Sequence, residues 1–150
     1  DVARVLKNIA YCFMISNQSL KALEYYHKTL ELYPALEDTP QNREEHVIVL
    51  KLLGITYSNT ERYDEAEQYY SKAIDAAQSQ KPKLHHLIIE IYMLMKQMYE
   101  RTGCGVKAEE CNRNATRAHE EKIFAENPQA YLNMWLSSFT VTSTTGSDSD

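Results

Sequence analysis

A position that is small in two of its three copies, an alanine twelve residues later and aromatic or aliphatic residues at fixed offsets recur along this chain. The clearest copy is Leu50-x2-Leu53-Gly54-x2-Tyr57 followed by Ala66-x3-Tyr70-x2-Ala73. Upstream the same frame reads Leu6-x2-Ile9-Ala10-x2-Phe13, then Ala22-x3-Tyr26, with Pro34 closing the unit. Downstream it reads Tyr92-x2-Met95-Lys96-x2-Tyr99, then Ala108 and Ala115, with Asn112 at the aromatic position. Two antiparallel helices approach closely only where small residues sit at their crossing. The spacing therefore predicts helical hairpins in which Gly54 meets Ala66 and Ala10 meets Ala22, with Tyr57 and Tyr70 filling the adjoining space. A hairpin of this kind cannot bury its face alone, so neighbours must stack into one continuous core.

The prolines agree with this division. Pro34, Pro40, Pro82 and Pro128 each stand where a helix should start or stop, since proline suits a first turn and breaks a helix interior. Strand signals are nearly absent, and only Val141-Thr142-Ser143-Thr144 has β-type composition. Seven helices are expected, over about 2–16, 19–33, 41–59, 63–78, 82–101, 106–126 and 128–138. Ser19 and Thr39 are the expected N-caps of the second and third. Residues 140–150, rich in Ser, Thr and Asp, carry too little apolar surface to order themselves and are expected to be a disordered tail.

The pattern resembles the tetratricopeptide repeat, a helix-turn-helix unit of about 34 residues with the signature W-x2-L-G-x2-Y, A-x3-F and P. The resemblance implies an all-α fold: a right-handed α-solenoid of three helix pairs (about 3–36, 47–80 and 89–122) closed by a C-terminal capping helix over about 128–138, one domain spanning 1–139. The repeat-to-repeat spacing is longer than the usual unit, with Ala10 and Gly54 44 residues apart and Gly54 and Lys96 42 apart. The additions fall between hairpins, over roughly 35–46 and 79–88. The second should lengthen the helix that starts at Pro82, and Glu44-Glu45 should sit in the first turn of the third helix, where negative charge suits the helix dipole. Units of about 42 residues are similar to those of kinesin light chains and related cargo adaptors.

Composition narrows the chemistry. Sixteen Lys+Arg stand against 21 Asp+Glu with no basic block, which argues against nucleic acid. The longest apolar stretch, Leu87 to Met95, is interrupted by Glu90 and is too short to span a bilayer, so no membrane insertion is expected. Three cysteines, Cys12, Cys104 and Cys111, are odd in number and sparse, and the opening Asp1-Val2-Ala3-Arg4 has no signal-like character. Both favour a reducing, cytoplasmic setting. No phosphate loop, nucleophile elbow or dinucleotide fingerprint is present. His85 and His86 are adjacent, so on a helix they point about 100° apart and cannot share one ion. No catalytic residue, cofactor or metal ligand is expected, and the eleven tyrosines are read as packing residues.

In tetratricopeptide proteins the first helices of the pairs line a concave face. That resemblance implies a groove formed here by Lys7, Tyr11, Met14, Ile48, Lys51, Leu52, Ile55, Leu94 and Gln97, taking an extended peptide or a partner helix. Lys7 and Lys51 occupy the same place in successive repeats and should form a short basic row. The chaperone-tail subtype is not expected. Of the carboxylate-gripping positions, Lys7 matches, whereas Tyr11, Leu52, Glu90 and Leu94 replace the asparagines, lysine and arginine, so Hsp70 or Hsp90 tails are poor partners. The expected role is a protein-interaction or adaptor module. The alternatives are a small stand-alone chaperone of the secretion-chaperone kind, or the non-catalytic repeat region of a larger enzyme.

Overall fold

The computed structural model describes residues 1–142. Seven helices follow one another: α1 Val2–Ile15, α2 Ser19–Leu32, α3 Pro40–Asn59, α4 Tyr63–Gln78, α5 His85–Arg101, α6 Gly105–Glu126 and α7 Pro128–Thr142, with a 3-10 turn over Tyr33–Ala35. No strand occurs among the described residues. The closest packing is within the pairs α1–α2, α3–α4 and α5–α6, followed by α2 on α3 and α4 on α5. The first helices also touch in succession, α1 with α3 and α3 with α5. The result is an α-solenoid with one core running its length, from Ala10, Leu23 and Tyr26 through Leu53, Tyr70 and Ile74 to Ile91, Met98 and Cys111.

In the second hairpin the crossing is as close as glycine allows. A Cβ added at Gly54 would lie 2.5 Å from Cδ1 and 2.6 Å from Cε1 of Tyr70. The ring of Tyr70 packs against the space that glycine leaves, and Ala66 is fully buried. In the first hairpin Ala10 and the buried Tyr26 hold the same register. In the third, Lys96 stands at the glycine position and Asn112 at the tyrosine position, and the Lys96 ammonium pairs with Glu100 at 2.8 Å.

Each hairpin turns in the same way. Asn17, Glu61 and Gly103 have positive φ, at 60°, 61° and 75°. Each lies seven residues after the small-residue position. In each turn the residue after the left-handed one donates its N–H back to the aromatic carbonyl: Gln18 to Phe13 at 2.8 Å, Arg62 to Tyr57 at 3.0 Å and Cys104 to Tyr99 at 2.8 Å. The left-handed residues donate to Met14, Ser58 and Glu100. This double bond is the Schellman closure, which satisfies carbonyls that the helix end leaves open.

Three local expectations are corrected. The second helix is preceded by Gln18, and Ser19 lies inside it without a capping bond. The fifth helix starts at His85, not Pro82, because Leu84 N–H donates to the Ala77 carbonyl and folds 79–84 back over the end of α4. Glu44 and Glu45 lie beyond the first turn of α3, which opens at Pro40 with the Thr39 hydroxyl accepting from Asn42 N–H.

The last helix departs furthest. It reaches Thr142, so the first residues of the expected tail are helical, and 143–150 lie outside the described residues. It meets α6 through an edge-to-face contact of Phe124 and Tyr131, with centroids 5.4 Å apart. Trp135 stays 51% exposed, and Leu132, Leu136 and Phe139 are exposed with it. The expected burial of this helix as a cap does not occur. The buried positions of α6 end at Ala118, and the charged His119-Glu120-Glu121-Lys122 run beyond offers no apolar counterpart.

A left-handed glutamate strains its Cβ by about 1–2 kcal/mol. Glycine there removes that strain and adds about 0.5–1 kcal/mol of unfolded-chain entropy. Glu61→Gly should therefore stabilise the protein by up to about 1 kcal/mol, read as a higher urea midpoint with an unchanged slope. A loss of stability would contradict the turn assignment.

Candidate binding groove

The structure groups the expected groove residues of the first helices unevenly. Ile55, Leu94 and Gln97 come together between α3 and α5. With Ser58, Asn59, Tyr70, Glu100 and Arg101 they line a cleft of about 540 Å³. Ile48 and Leu52 are half-buried and pack against the edge of the core. Tyr11 is exposed on α1. Met14 turns toward its own hairpin, its sulfur accepting from the Tyr26 hydroxyl at 3.9 Å.

The basic row is neutralised. Lys7 is ion-paired with Glu45, and Lys51 with Glu90 at 2.9 Å; the two lysine side chains are only 14% and 12% exposed. In both cases a lysine of one first helix reaches a glutamate of the next. His86 meets Glu44 at 3.1 Å across the same helices, while His85 points to Glu121 at 3.8 Å on α6. The two histidines thus diverge as their adjacency requires. Among the described residues no cluster of side chains could hold a metal ion.

Arg101 is the cationic feature that the sequence pattern did not single out. Its Nη2 donates to the buried Ser58 hydroxyl at 2.6 Å, fixing the guanidinium at the mouth of the α3–α5 cleft. It has no carboxylate partner among the described residues. The lysines of the repeat pattern, Lys7 and Lys51, lie in the interiors of α1 and α3, whereas Arg101 is the last residue of α5. Its signal in the sequence was its place in a final helical turn, where a cation suits the dipole.

A larger cleft, about 720 Å³, opens at the first addition between hairpins. Leu30, Tyr33, Leu36, His46, Leu50 and Ala76 are among its lining residues. Tyr33 stacks on His46 with centroids 5.0 Å apart. Burial raises the Tyr33 hydroxyl to about 12, with Glu45 adding to the shift, and burial pulls His46 below the usual imidazole range. Arg43 ties the two additions together, its Nε donating to Gln80 at 2.7 Å while Nη1 holds Asp38. At the α2–α3 junction His27 meets the Tyr57 hydroxyl at 2.8 Å, and Tyr57 stacks on Tyr69 at 5.3 Å. Burial lowers the His27 imidazole as well.

The tetratricopeptide-repeat family model matches residues 1–79. The chain belongs to the tetratricopeptide-repeat family. The match covers the first two hairpins, where the small-residue positions are Ala10 and Gly54, and stops before Lys96. The crystal structure of BtubC (BKLC) from P. vanneervenii is similar, with a TM-score of 0.68 at 22% identity. The likeness covers 81% of this chain and 48% of that one, and it concerns the fold. The comparison with curated proteins found no match. Within the described residues no helix is long and apolar enough to cross a membrane.

The two lowered histidines set a pH dependence. Each binds its proton less readily folded than unfolded, so folding is favoured above the unfolded imidazole range and loses ground as pH falls below it. The melting temperature should drop between pH 7 and pH 5. His46→Phe keeps a ring on Tyr33 and cannot charge, so it should flatten that slope. An equally steep slope in this variant would show that His46 is not held neutral.

Proposed function

We propose that this chain is a protein-interaction module that takes an extended peptide or a partner helix along the concave face of α1, α3 and α5. The observation that carries this reading is the α3–α5 cleft. Ile55 and Leu94 give it an apolar floor, Gln97 and Asn59 give it amide donors and acceptors, and Arg101 gives it a fixed cation. An apolar anchor of the ligand would seat between the two helices while its backbone or an acidic neighbour meets the polar rim. Electrostatic steering falls to Arg101, since Lys7 and Lys51 are already paired within the protein. The free thiols of Cys12, Cys104 and Cys111 suit an intracellular adaptor or scaffold. A stand-alone chaperone would use the same face, and so would the repeat region of a larger enzyme.

Peptides selected from a random display library against the purified chain supply the ligand for a test. Leu94→Ala should weaken binding by about 1–2 kcal/mol with little change in melting temperature. Arg101→Ala should slow association and reduce the dependence on salt. Lys51→Glu, whose charge is internal to the fold, should change the salt dependence less than Arg101→Ala does. If only Glu44→Lys or a substitution in the 35–46 addition weakens binding, the groove is not the site.

A further inference from the structure

The largest cavity lies away from the groove, at the junction of the first two hairpins. The repeat register permits a comparison of like with like. His46, Leu50, Lys72, Asp75 and Ala76 line the cleft of about 720 Å³ among α2, α3 and α4. The residues 42 positions on are Ile88, Tyr92, Asn114, Arg117 and Ala118. They line the matching space among α4, α5 and α6, which measures only about 110 Å³. Hairpins stand on both sides of each junction.

Two differences go with the larger volume. Leu50 stands where the second junction has the ring of Tyr92. The second addition brings Lys83 to Glu121 at 3.4 Å, and both residues line the small space. The first addition instead forms a wall, with Tyr33 and Pro34 in its 3-10 turn and Leu36 just after it. Arg43 holds Asp38 at 2.7 Å on the rim. The cleft is therefore a property of this junction and not of the repeat.

The lining sets the chemistry of an occupant. Leu30, Leu36, Leu50 and Ala76 are apolar, and Tyr33 and His46 stack at 22° to give a flat aromatic wall. Burial disfavours a charge on His46, and the same surroundings disfavour one on a ligand beside it. The charged residues come close to balance, Arg43 and Lys72 against Glu37, Asp38 and Asp75, with Arg43 and Asp38 already paired. The His46 ring nitrogens and the Tyr33 hydroxyl have no hydrogen-bond partner among the described residues, so a donor and an acceptor are unspent. Sites for small molecules hold about 300–1,000 Å³ and combine apolar walls with a few such groups.

We propose that this cleft is a second binding site, independent of the groove, for an uncharged aromatic small molecule that lays its ring on the Tyr33–His46 wall and hydrogen-bonds through one polar group. Naphthol is the probe, with naphthoate and naphthylmethylammonium as charged counterparts of the same ring. Naphthol should shift the backbone amide NMR signals of His46, Leu50 and Ala76 saturably. The two charged probes should bind roughly tenfold or more weakly. His46→Ala, which removes half of the aromatic wall, should weaken naphthol binding about fivefold. Leu50→Tyr copies the ring of the second junction into the first and should abolish binding. Ala76→Phe fills the cleft from α4 and should do the same if Leu50→Tyr fails to fold. Leu94→Ala in the groove should leave naphthol binding unchanged. Equal binding of the three probes, shifts centred outside the cleft, no saturation up to the solubility of naphthol, or binding that survives the filling variants would overturn the proposal. A display-selected peptide that loses binding to Leu50→Tyr but not to Leu94→Ala would assign the cleft to a protein partner and overturn it equally.

Discussion

The approach of Gly54 to the Tyr70 ring is the contact on which the rest of this architecture depends. A helix interior is a costly place for glycine, by roughly 0.5–1 kcal/mol relative to alanine. Here the cost is offset because the ring packs where a side chain would stand. That contact fixes how near α3 comes to α4, and so where Leu53 and Thr56 turn toward α2 and where Ile55 turns toward α5. Ala10 with Tyr26 repeats the arrangement, and Lys96 with Asn112 inverts its sizes. The three hairpins therefore share one frame while differing at its central pair.

Stacking, rather than charge, joins the hairpins. The ion pairs Lys7–Glu45 and Lys51–Glu90 run from each first helix to the next, and Lys107–Glu67 links second helices at 3.3 Å. Pairs whose glutamates stay 34–50% exposed contribute about 0–1 kcal/mol each. The first two engage Lys7 and Lys51 with glutamates of the next first helix, while Arg101 has no carboxylate partner among the described residues. The Ser58 hydroxyl accepts from that guanidinium and holds it in place, so in the proposed groove reading its position would cost a ligand little ordering.

Much of this was legible in the sequence, because hairpin spacing is a one-dimensional signal. Gly54, Ala66, Tyr70 and the four prolines suffice to locate the pairs and their additions. The turn closures were present too, at Asn17, Glu61 and Gly103, but only one of the three is a glycine, so composition hid them. Tertiary choices were not legible. The path of 79–84 depends on Leu84 reaching back to Ala77, and the pairing of Lys7 and Lys51 depends on how far α1, α3 and α5 lie apart. The apolar content of α7 suggested burial. Burial also needs a broad receiving face, and the end of α6 offers Phe124 to Tyr131 in a cleft that Arg117, Glu120 and Glu121 also line. Of the groove, Ile55, Leu94 and Gln97 meet in one cleft, while Arg101 escaped notice because it ends its helix.

The register rests on the fit between position 54 and the ring at position 70, and a double-mutant cycle measures that fit directly. Alanine is the better helix former by about 1 kcal/mol, so Gly54→Ala should stabilise the protein wherever the ring is absent. In the native background the added Cβ meets the ring, and the same change should destabilise by about 1–3 kcal/mol. The account predicts that Gly54→Ala lowers the urea midpoint with Tyr70 present and raises it in a Tyr70→Ala background. Equal effects in the two backgrounds would contradict the account, because position 54 would then not face the ring that sets the hairpin's closeness.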